Sequence, residues 1–508
     1  MRINWTRYFL ILTATLVGQL IAGCASKQAL APTVESKSFD GDFSFLSSST
    51  PRVVILFMSD LHGRLQPDGA GRGGYARIAQ LVSAHRKNAG PKTDIWVIVG
   101  GDVAGKGAVP CVVTHDKACF PLLGKMGINL GVLGNGELKR SLNDVENLIT
   151  LSGITWINSN VVSANSRKQQ IWKSFLPWTG EKSGLSINFA SWTLPPTPGE
   201  VDPKKTGYLA RMPVVENEIG LLSAQIPAGS NIVWLPHQTW TADQETVKSL
   251  CAQNKFKNLA LLKSNDHVHK RIDDSGCFGI FEPGPFGQVV SRLVFEKDSS
   301  TGEGLQLKKH DFIDIDEKIS PDIEIENEIA LLYKNHAPQA QTLVGQSQEI
   351  LPVQKLGDRV AVALREITRS DVGVYNRGGV KEDLPQGPVT QERLSFSLPY
   401  NDDVVGLDWK FSDFERALCQ ASRRSIDNFL DFGSELFIAG ARIEGFGTPN
   451  CKVILDKPRS QVKVAMPEYL SKRSERWLGT ELRGRVFKFG VDIHRALSLS
   501  VQRKGGVF

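Results

Sequence analysis

The fold is decided at Val53-Val54-Ile55-Leu56-Phe57-Met58, an apolar run that leads directly into Ser59-Asp60-Leu61-His62-Gly63. A short apolar run of this kind predicts a β-strand that is buried on both faces. Asp60 and His62 then stand where the strand ends, and open α/β sheets place their ligand sites at the carboxyl ends of the strands. The sequence therefore predicts a buried strand that carries two metal-binding side chains at its end.

Four later segments repeat this pattern. Apolar runs at 95–99, 130–133, 232–235 and 259–262 each end close to an oxygen or imidazole ligand. A single Asp or His after a strand is usually a turn residue or a structural residue. Four of the nine histidines in the chain fall at these strand ends, however, and this concentration favours a metal site. The candidate ligands are Asp60, His62, Asp102, Asn135, His237, His267 and His269.

The order of these ligands resembles the calcineurin-like metallophosphoesterases, in particular the bacterial 5'-nucleotidase family. The family pattern runs Asp-x-His, Gly-Asp, Gly-Asn-His-Glu/Asp, a lone His, and Gly-His-x-His. The resemblance implies two divalent ions and a catalytic role for Asn135 and Asp102. The mixed donor set suits Mn, Zn, Fe or Co. The resemblance implies that Asp60, His62 and His269 bind the first ion. Asn135, His237 and His267 would bind the second ion, and Asp102 would bridge the two.

One position departs from the family pattern. Gly136 stands where the family has a histidine that stabilises the transferring phosphoryl group and assists the leaving oxygen. General acid–base assistance is typically worth on the order of 10² to 10⁴ in rate, so we expect phosphoesters to bind but to turn over slowly. Two replacements stay open: His115 in a small loop between cysteines, and Lys139. The alternative is that these are a solvated loop histidine and an ordinary surface lysine.

The resemblance extends from about residue 52 onward and implies a mixed α/β protein of two domains. We expect a four-layer α/β/β/α metallophosphatase domain at 51–300 and a linker with a helix at 301–335. A smaller α/β 5'-nucleotidase C-terminal domain follows at 336–508. Apolar periodicity predicts the connecting helix at 315–333 and an amphipathic helix at 358–367.

The base-binding motifs of the family are only partly kept. The strand at 371–376 enters an Asn-x-Gly-Gly loop, and Arg473-Ser474-Glu475-Arg476-Trp477 replaces a Gly-Gly-Asp-Gly-Tyr motif. Two aromatic rings sandwich the base in family members, so Tyr375 and Tyr469 are expected to form such a clamp. The alternative is that both tyrosines pack against the sheet. The implied substrate-binding residues are Tyr375, Asn376, Gly378, Gly379, Tyr469 and Glu475.

The first residues are typical of an export signal. Arg2 and Arg7 precede an apolar run at 8–20 that is too short for a stable membrane-spanning helix. The run ends at Leu20-Ile21-Ala22-Gly23-Cys24, which resembles the lipobox of bacterial lipoproteins, in which the cysteine is lipidated. An ordinary signal peptide with an incidental cysteine is the alternative. We expect residues 1–23 to be removed, Cys24 to anchor the chain in a membrane, and 24–50 to be a flexible tether. Ala25-Ser26, directly after Cys24, lacks the aspartate that usually retains lipoproteins in the inner membrane, which favours the outer membrane, facing the periplasm or the cell surface.

Cysteine usage agrees with export. Six cysteines remain after Cys24, and an even number in an oxidising compartment indicates disulfides. Their clustering favours the pairs 111–119, 251–277 and 419–451, whereas buried free thiols are the alternative.

Charge limits the range of partners. The formal net charge is +6 without a long basic run, so a nucleic acid polymer is not expected as a partner. The expected partner is a nucleotide or another phosphoester, and the sequence leaves the oligomeric state unknown. The resulting hypothesis is a dinuclear-metal phosphohydrolase of the 5'-nucleotidase type outside the cytoplasm. The alternative is a catalytically silent lipoprotein that binds metal and nucleotide or interacts with a protein.

Overall fold

A computed structural model describes residues 43–47, 49–105, 107–163, 170–196, 207–210, 215–274, 276–298, 304–427, 436–482 and 486–508. All of the elements below belong to one unit, residues 39–508. In chain order the strands are β1 (Arg52–Met58), β2 (Thr93–Val99), β3 (Leu130–Val132), β4 (Thr155–Ile157), β5 (Val161–Ser163), β6 (Phe175–Thr179), β7 (Ser186–Ala190), β8 (Tyr208–Ala210), β9 (Asn231–Trp234), β10 (Lys257–Leu262), β11 (Arg271–Asp273), β12 (Ile280–Glu282), β13 (Val289–Lys297), β14 (Leu305–Asp314), β15 (Leu343–Ser347), β16 (Val372–Asn376), β17 (Gly387–Thr390), β18 (Asp403–Lys410), β19 (Leu436–Ala439), β20 (Ala441–Glu444), β21 (Lys452–Leu455), β22 (Gln461–Pro467) and β23 (Val486–Asp492).

Helices connect and cover these strands. In chain order the α-helices are Tyr75–Asn88, Val109–Val113, Pro121–Lys125, Leu142–Ser152, Val215–Ser223, Trp240–Gln253, Ile323–His336, Val353–Thr368, Gln391–Ser397, Phe411–Asp427, Glu468–Lys472, Ser474–Leu478 and Ile493–Arg503. Short 3₁₀ turns lie at Ser44–Ser47, Glu137–Lys139, Pro338–Gln341 and Arg377–Gly379.

Two six-stranded sheets form the first domain, in the orders β14-β13-β1-β2-β3-β4 and β11-β12-β10-β9-β7-β6. Strands β1 to β4 are parallel, as are β7, β9, β10 and β12. Parallel neighbours end at the same edge of a sheet, so the loops after β1, β2 and β3 meet there, and so do the loops after β9 and β10. All five apolar runs predicted to be strands are strands.

The side chains of β1 show how the two sheets form layers. Val53, Ile55 and Phe57 pack against residues of the second sheet such as Phe189 and Val233. The even-numbered residues of β1 point the other way, into the core shared with the helices, because successive side chains in a strand alternate between faces. Helices at 215–223 and 240–253 cover the outer face of the second sheet. The predicted four-layer α/β/β/α domain is therefore confirmed.

The second domain is a smaller α/β unit, also as predicted. Its five-stranded sheet has the order β19-β16-β22-β18-β23. The helices Val353–Thr368 and Ile493–Arg503 pack on one face through residues such as Leu364 and Leu497. The helix Phe411–Asp427 packs on the opposite face through Leu418.

The linker prediction needs two corrections. Strand β14, at 305–314, pairs along its length with β13 and completes the first sheet, so the first domain reaches beyond residue 300. The connecting helix begins at Ile323 rather than at residue 315. Asp322 is its N-cap, because the carboxylate accepts hydrogen bonds from Glu324 N and Ile325 N.

The end of the predicted tether is also different from the expectation. Ser44–Ser47 forms a 3₁₀ turn whose Leu46 is fully buried in the core of the first domain. The Leu46 carbonyl accepts a hydrogen bond from Thr93 Oγ1 at 3.0 Å, and the Phe45 ring lies 4.6 Å from the Arg292 guanidinium. The segment packs on the first domain because it contains the apolar side chains of Phe45 and Leu46 among its serines. The predicted signal sequence and Cys24 lie outside the described residues.

Three disulfides join Cys111 to Cys119, Cys251 to Cys277 and Cys419 to Cys451. These are the pairs that the clustering of the cysteines favours. Among the described residues, no helix is long and apolar enough to cross a membrane.

Candidate metal centre

Five of the predicted ligands meet at the common edge of the two sheets. Asp60 and His62 follow β1, Asp102 follows β2, His237 follows β9 and His267 follows β10. Their ligand atoms form two overlapping groups, Asp60–His62–His267 and Asp60–Asp102–His237, and within each group all of these atoms lie within 4.8 Å of one another. Residues separated by more than 200 positions thus form one site.

Individual distances define the geometry of the site. The Nε2 atoms of His62 and His267 are 3.3 Å apart, and His267 Nε2 lies 3.3 Å from Asp60 Oδ1. On the other side, His237 Nε2 lies 3.5 Å from Asp102 Oδ1. Asp60 belongs to both groups. Asp102 also faces both sides of the site, since its Oδ2 lies 3.9 Å from His62 Nε2.

The backbone at the site is unusual. Asp60, His62, Asp102 and His267 have φ angles of 51°, 45°, 46° and 63°, in the left-handed region. Residues other than glycine rarely adopt this region, and such backbone conformations cluster at functional sites. The loops after β1, β2 and β10 thus turn sharply at the residues that carry these polar side chains.

Electrostatics favour a charged Asp60 carboxylate. Burial by itself raises the pKa of Asp60, but His267, His237 and His62 outweigh this effect and lower the pKa to about 2. For His62, burial lowers the pKa despite the opposing influence of Asp102 and Asp60. A neutral imidazole and an ionised carboxylate are the forms that bind metals.

An unpartnered nitrogen supports the fit of a cation. His237 is fully buried, and its Nδ1 lies 3.0 Å from the Gly100 carbonyl oxygen and 2.9 Å from Ser264 Oγ. Its Nε2 is buried and has no hydrogen-bond partner among the described residues. Ligating histidines commonly donate their other N–H to a carbonyl in this way, which fixes the tautomer. The carboxylate and imidazole donors therefore fit a borderline divalent ion.

The two remaining predicted ligands, Asn135 and His269, are not part of these two groups. The Asn135 side-chain amide lies 3.4 Å from Asn265 Oδ1, while the Asn265 N–H donates to Asp60 Oδ2. His269 belongs to neither ligand group. Its pKa is lowered by burial and by Arg72. The loop turns at His267, and Val268 N donates to Glu282 Oε1. In these groups His267 lies with His62, whereas the predicted division of ligands places His267 with His237.

A buried glutamate that was not predicted as a site residue holds the Asp102 loop. Glu137 Oε2 accepts hydrogen bonds from Asp102 N and Gly134 N, and its Oε1 accepts one from Ala104 N. Burial and the nearby Asp102 raise the pKa of Glu137 to about 7, although these N–H groups act in the opposite direction. The presence of Glu137 at the end of the Gly-Asn-Gly-Glu motif was the feature of the sequence that could have indicated this role.

Neither suggested replacement for the missing histidine belongs to the two ligand groups. His115 is exposed, and its carbonyl oxygen accepts a hydrogen bond from Arg140. Lys139 is exposed at the end of a 3₁₀ turn. Gly136 itself has an ordinary helical backbone, with φ −65°. The space around Gly136 limits which side chains fit there, because an added Cβ would lie 2.9 Å from Asp102 Oδ1.

A cavity of about 490 Å³ lies between the two domains, with His269 in its wall. Arg64 crosses this interface: its guanidinium lies 3.7 Å from the centroid of the Phe396 ring and pairs with Glu382. Lys381 and Arg393 add further cationic groups to the lining. The sequence does not predict this cavity, because its walls come from loops far apart in the chain.

The expected aromatic clamp is wrong for Tyr375. Its side chain is only 2% exposed, and its hydroxyl donates to the Gly379 carbonyl oxygen at 3.1 Å. Tyr375 therefore packs in the core, as the alternative interpretation held. Tyr469, in contrast, is 38% exposed and meets Trp477 at 6.5 Å between ring centroids.

The remaining residues that were predicted to bind substrate also differ in how far they are exposed. Asn376 and Gly379 are buried, whereas Glu475 is exposed. Gly378 lies beneath Trp477, since an added Cβ would be 3.4 Å from that ring. Trp477 was not predicted as a site residue, although it occupies the last position of the altered motif.

Comparisons with known proteins agree with this architecture. Residues 336–444 match the family model described as 5'-nucleotidase, C-terminal domain. The chain is 23% identical over 401 residues to endonuclease YhcR of Bacillus subtilis (strain 168), which covers 72% of this chain and 32% of the relative. The chain thus spans about a third of the length of that curated relative.

Solved structures show the same fold. A 5'-nucleotidase precursor from Thermus thermophilus has a TM-score of 0.62 at 15% identity, with 90% of this chain and 97% of that chain covered. A 5'-nucleotidase from Candida albicans SC5314 has a TM-score of 0.59 at 12% identity, with coverages of 90% and 99%. The protein therefore has the fold of these 5'-nucleotidases, and its residues 336–444 are similar to their C-terminal domain.

Proposed function

We propose that this protein is a metal-dependent phosphoester hydrolase of the 5'-nucleotidase type, which acts on nucleotides or related phosphoesters outside the cytoplasm. The observation that carries the proposal is the convergence of Asp60, His62, Asp102, His237 and His267 on one centre. A buried ligand atom without a hydrogen-bond partner, as His237 Nε2 is among the described residues, is costly unless a cation compensates it.

Two divalent ions in such a site supply a water of lowered pKa and a clamp for the phosphoryl oxygens. Asp60, His62 and His267 would hold one ion. Asp102 and His237 would hold the other, with Asn135 as the amide ligand and Asp102 as the shared carboxylate. We propose Mn, Zn, Fe or Co as the metals on the basis of this donor set. His269 would reach the first ion only if its loop moved.

Neighbouring residues hold the proposed metal ligands in fixed orientations. Ser264 and the Gly100 carbonyl hold the His237 ring, and Glu137 holds the backbone that carries Asp102. Preorganised groups of this kind lower the cost of reorganisation during the reaction. Because Gly136 supplies no acid to the leaving oxygen, we propose that turnover is slow.

The cavity beside His269 supports a phosphoester substrate with an anionic or aromatic part. Its lining combines Lys381 and Arg393 with the rings of Phe286 and Phe396. We also propose lipidation at Cys24 and a location in the outer membrane. The three disulfides support an oxidising compartment.

Metal analysis of the purified protein, combined with a phosphate-release assay, tests the proposal. Phosphate release from AMP tests the nucleotidase activity. Release of p-nitrophenol from bis-p-nitrophenyl phosphate tests a diesterase activity of the kind that the name of the Bacillus relative suggests. We expect about two bound divalent ions and hydrolysis above that of an Asp102→Ala control. Wild-type protein that binds no divalent ion would contradict the proposal.

A catalytically silent lipoprotein that binds metal and nucleotide is the second candidate, and Gly136 is the observation that favours it. Both candidates predict bound metal. Only the enzyme should lose phosphate release on chelation with EDTA and regain it on addition of Mn²⁺ or Zn²⁺. Metal binding with no activity above the Asp102→Ala control on either substrate would favour the silent candidate.

A further inference from the structure

Lys263 is a charged residue in a position where charge is costly. It directly follows β10, and its side chain is 0% exposed. An ammonium group buried in the interior is strongly destabilising by desolvation unless it is paired and hydrogen-bonded. The contacts of Lys263 must therefore compensate this cost.

The ammonium contacts two backbone carbonyls that belong to the ligand loops. Lys263 Nζ donates to the carbonyl oxygen of Gln238, the residue after His237, and to that of Ser264 at 2.7 Å. Ser264 stands three positions before His267, and its hydroxyl is 2.9 Å from His237 Nδ1. The ammonium thus joins the loop after β9 to the loop after β10.

Two carboxylates complete the surroundings of the ammonium. Asp243 Oδ2, in the helix Trp240–Gln253, lies 3.1 Å from Lys263 Nζ, and Asp266 Oδ2 lies 3.5 Å away. Asp266 immediately precedes His267 and also accepts a hydrogen bond from Trp240 N at 2.8 Å. Gln238 Nε2 donates to Asp243 Oδ1, so the same helix also holds the loop after β9.

We infer that Lys263 is a positioning residue that fixes the His237 and His267 loops at the spacing that metal binding requires. This inference rests on the metal centre of the proposed function. A lysine suits the role because its compact ammonium donates to two carbonyls and lies within ion-pair distance of two carboxylates. Methionine has a similar length but no donor, and arginine has a planar fork that does not match these converging acceptors.

The test separates loop positioning from general stability. The variants are Lys263→Met, which removes all donors, and Asp243→Asn, which removes the ion pair but keeps both carbonyl contacts. Arg292→Met is the matched control, because Arg292 forms a largely buried ion pair with Asp311 on neighbouring strands β13 and β14. For each purified protein, the dissociation constants of Zn²⁺ and Mn²⁺ are measured by chelator competition, and thermal unfolding is measured in EDTA.

We expect Lys263→Met to weaken metal binding by about 10- to 100-fold, as loss of a group that orients metal ligands typically does. Asp243→Asn should lower the unfolding temperature but bind metal much more tightly than Lys263→Met, and Arg292→Met should bind metal as the wild type does. Unchanged metal affinity in Lys263→Met, or equal losses in all three variants, would overturn the inference. If the wild type itself binds no divalent ion, the proposed function fails along with it.

A second variant guards against misfolding of Lys263→Met. Lys263→Met combined with Asp243→Leu replaces the buried pair by apolar residues, an exchange that is often neutral for stability. We expect this double variant to show the same loss of metal affinity. Wild-type affinity in the folded double variant would overturn the inference.

Discussion

The backbone N–H of Gly136 donates a hydrogen bond of 2.6 Å to Asp102 Oδ1. The position at which the chain lacks the expected catalytic histidine therefore directly contacts the carboxylate proposed to join two metal ions. Any side chain added at Gly136 has to be accommodated by Asp102, since its Cβ would lie 2.9 Å from Oδ1 and 3.1 Å from Cγ.

The first prediction concerns this contact. We expect Gly136→His to hydrolyse phosphoesters on the order of 10² to 10⁴ faster than Gly136→Ala, because only the imidazole supplies general acid–base assistance. The alanine variant is the control, since it introduces the same Cβ beside Asp102. Steady-state kcat with a chromogenic phosphoester, together with metal content, is the measurement. Equal rates in the two variants at full metal content would show that the pocket no longer supports this chemistry.

The second prediction concerns the disulfide next to His62. The loop closed by Cys111 and Cys119 packs on the ligand segment, because Ala108 N donates to the Gly63 carbonyl oxygen and Cys111 contacts Gly63. Replacing both cysteines by alanine should lower the free energy of unfolding by about 2–3 kcal/mol, as expected for a short loop. It should also weaken metal binding. Urea unfolding and chelator competition measure the two effects.

The disulfide between Cys419 and Cys451 provides the control, since it lies in the second domain. Its removal should cost about 3–4 kcal/mol because it closes a longer loop. Metal affinity should stay at the wild-type value. Weaker metal binding in this variant than in the first would contradict the proposed role of the 111–119 loop.

The third prediction concerns the pH dependence of stability. Burial lowers the pKa of His85 to about 4, despite a hydrogen-bonding contact with the Leu81 carbonyl. Between pH 4 and 6.5 the unfolded chain therefore binds a proton that the folded protein does not. The free energy of unfolding should decrease as the pH falls through this window, by up to about 3 kcal/mol from His85 at full protonation.

Replacement of His85 by glutamine removes this titrating group. Urea unfolding at several pH values from about 7 to about 4 should show a shallower decrease in the variant than in the wild type. Identical slopes in the two proteins would mean that His85 does not contribute to the acid sensitivity.

The fourth prediction separates the two tyrosines. Tyr375→Phe loses one buried hydrogen bond to Gly379 and should cost about 1 kcal/mol of stability without changing KM. Tyr469→Ala should leave stability nearly unchanged but raise KM for a nucleotide about tenfold if its ring stacks on the base. Thermal unfolding and steady-state kinetics with AMP measure both effects. A rise in KM for Tyr375→Phe that matches that of Tyr469→Ala would argue against this division of roles.

Local pattern was enough to predict much of the fold. Continuous apolar runs identified strands β1, β2, β3, β9 and β10, because strands buried on both faces need apolar residues on both. The spacing of polar residues after these strands identified the ligands that converge. The cysteine pairs were also predicted, since cysteines that lie near one another in the sequence can close local loops.

Tertiary packing decided what remained. The sequence could not show that Tyr375 is in the core while Tyr469 is exposed, because both tyrosines follow similar patterns and differ only in what packs against them. It could not place His267 beside His62 rather than beside His237, which depends on the left-handed turn after β10. Nor could it show that Lys263, an ordinary surface residue by type, occupies a buried position where two loops and a helix supply its acceptors. The sequence by itself thus determined which side chains are available for metal binding, whereas the three-dimensional arrangement decided which of them meet, because contact depends on the packing of segments far apart in the chain.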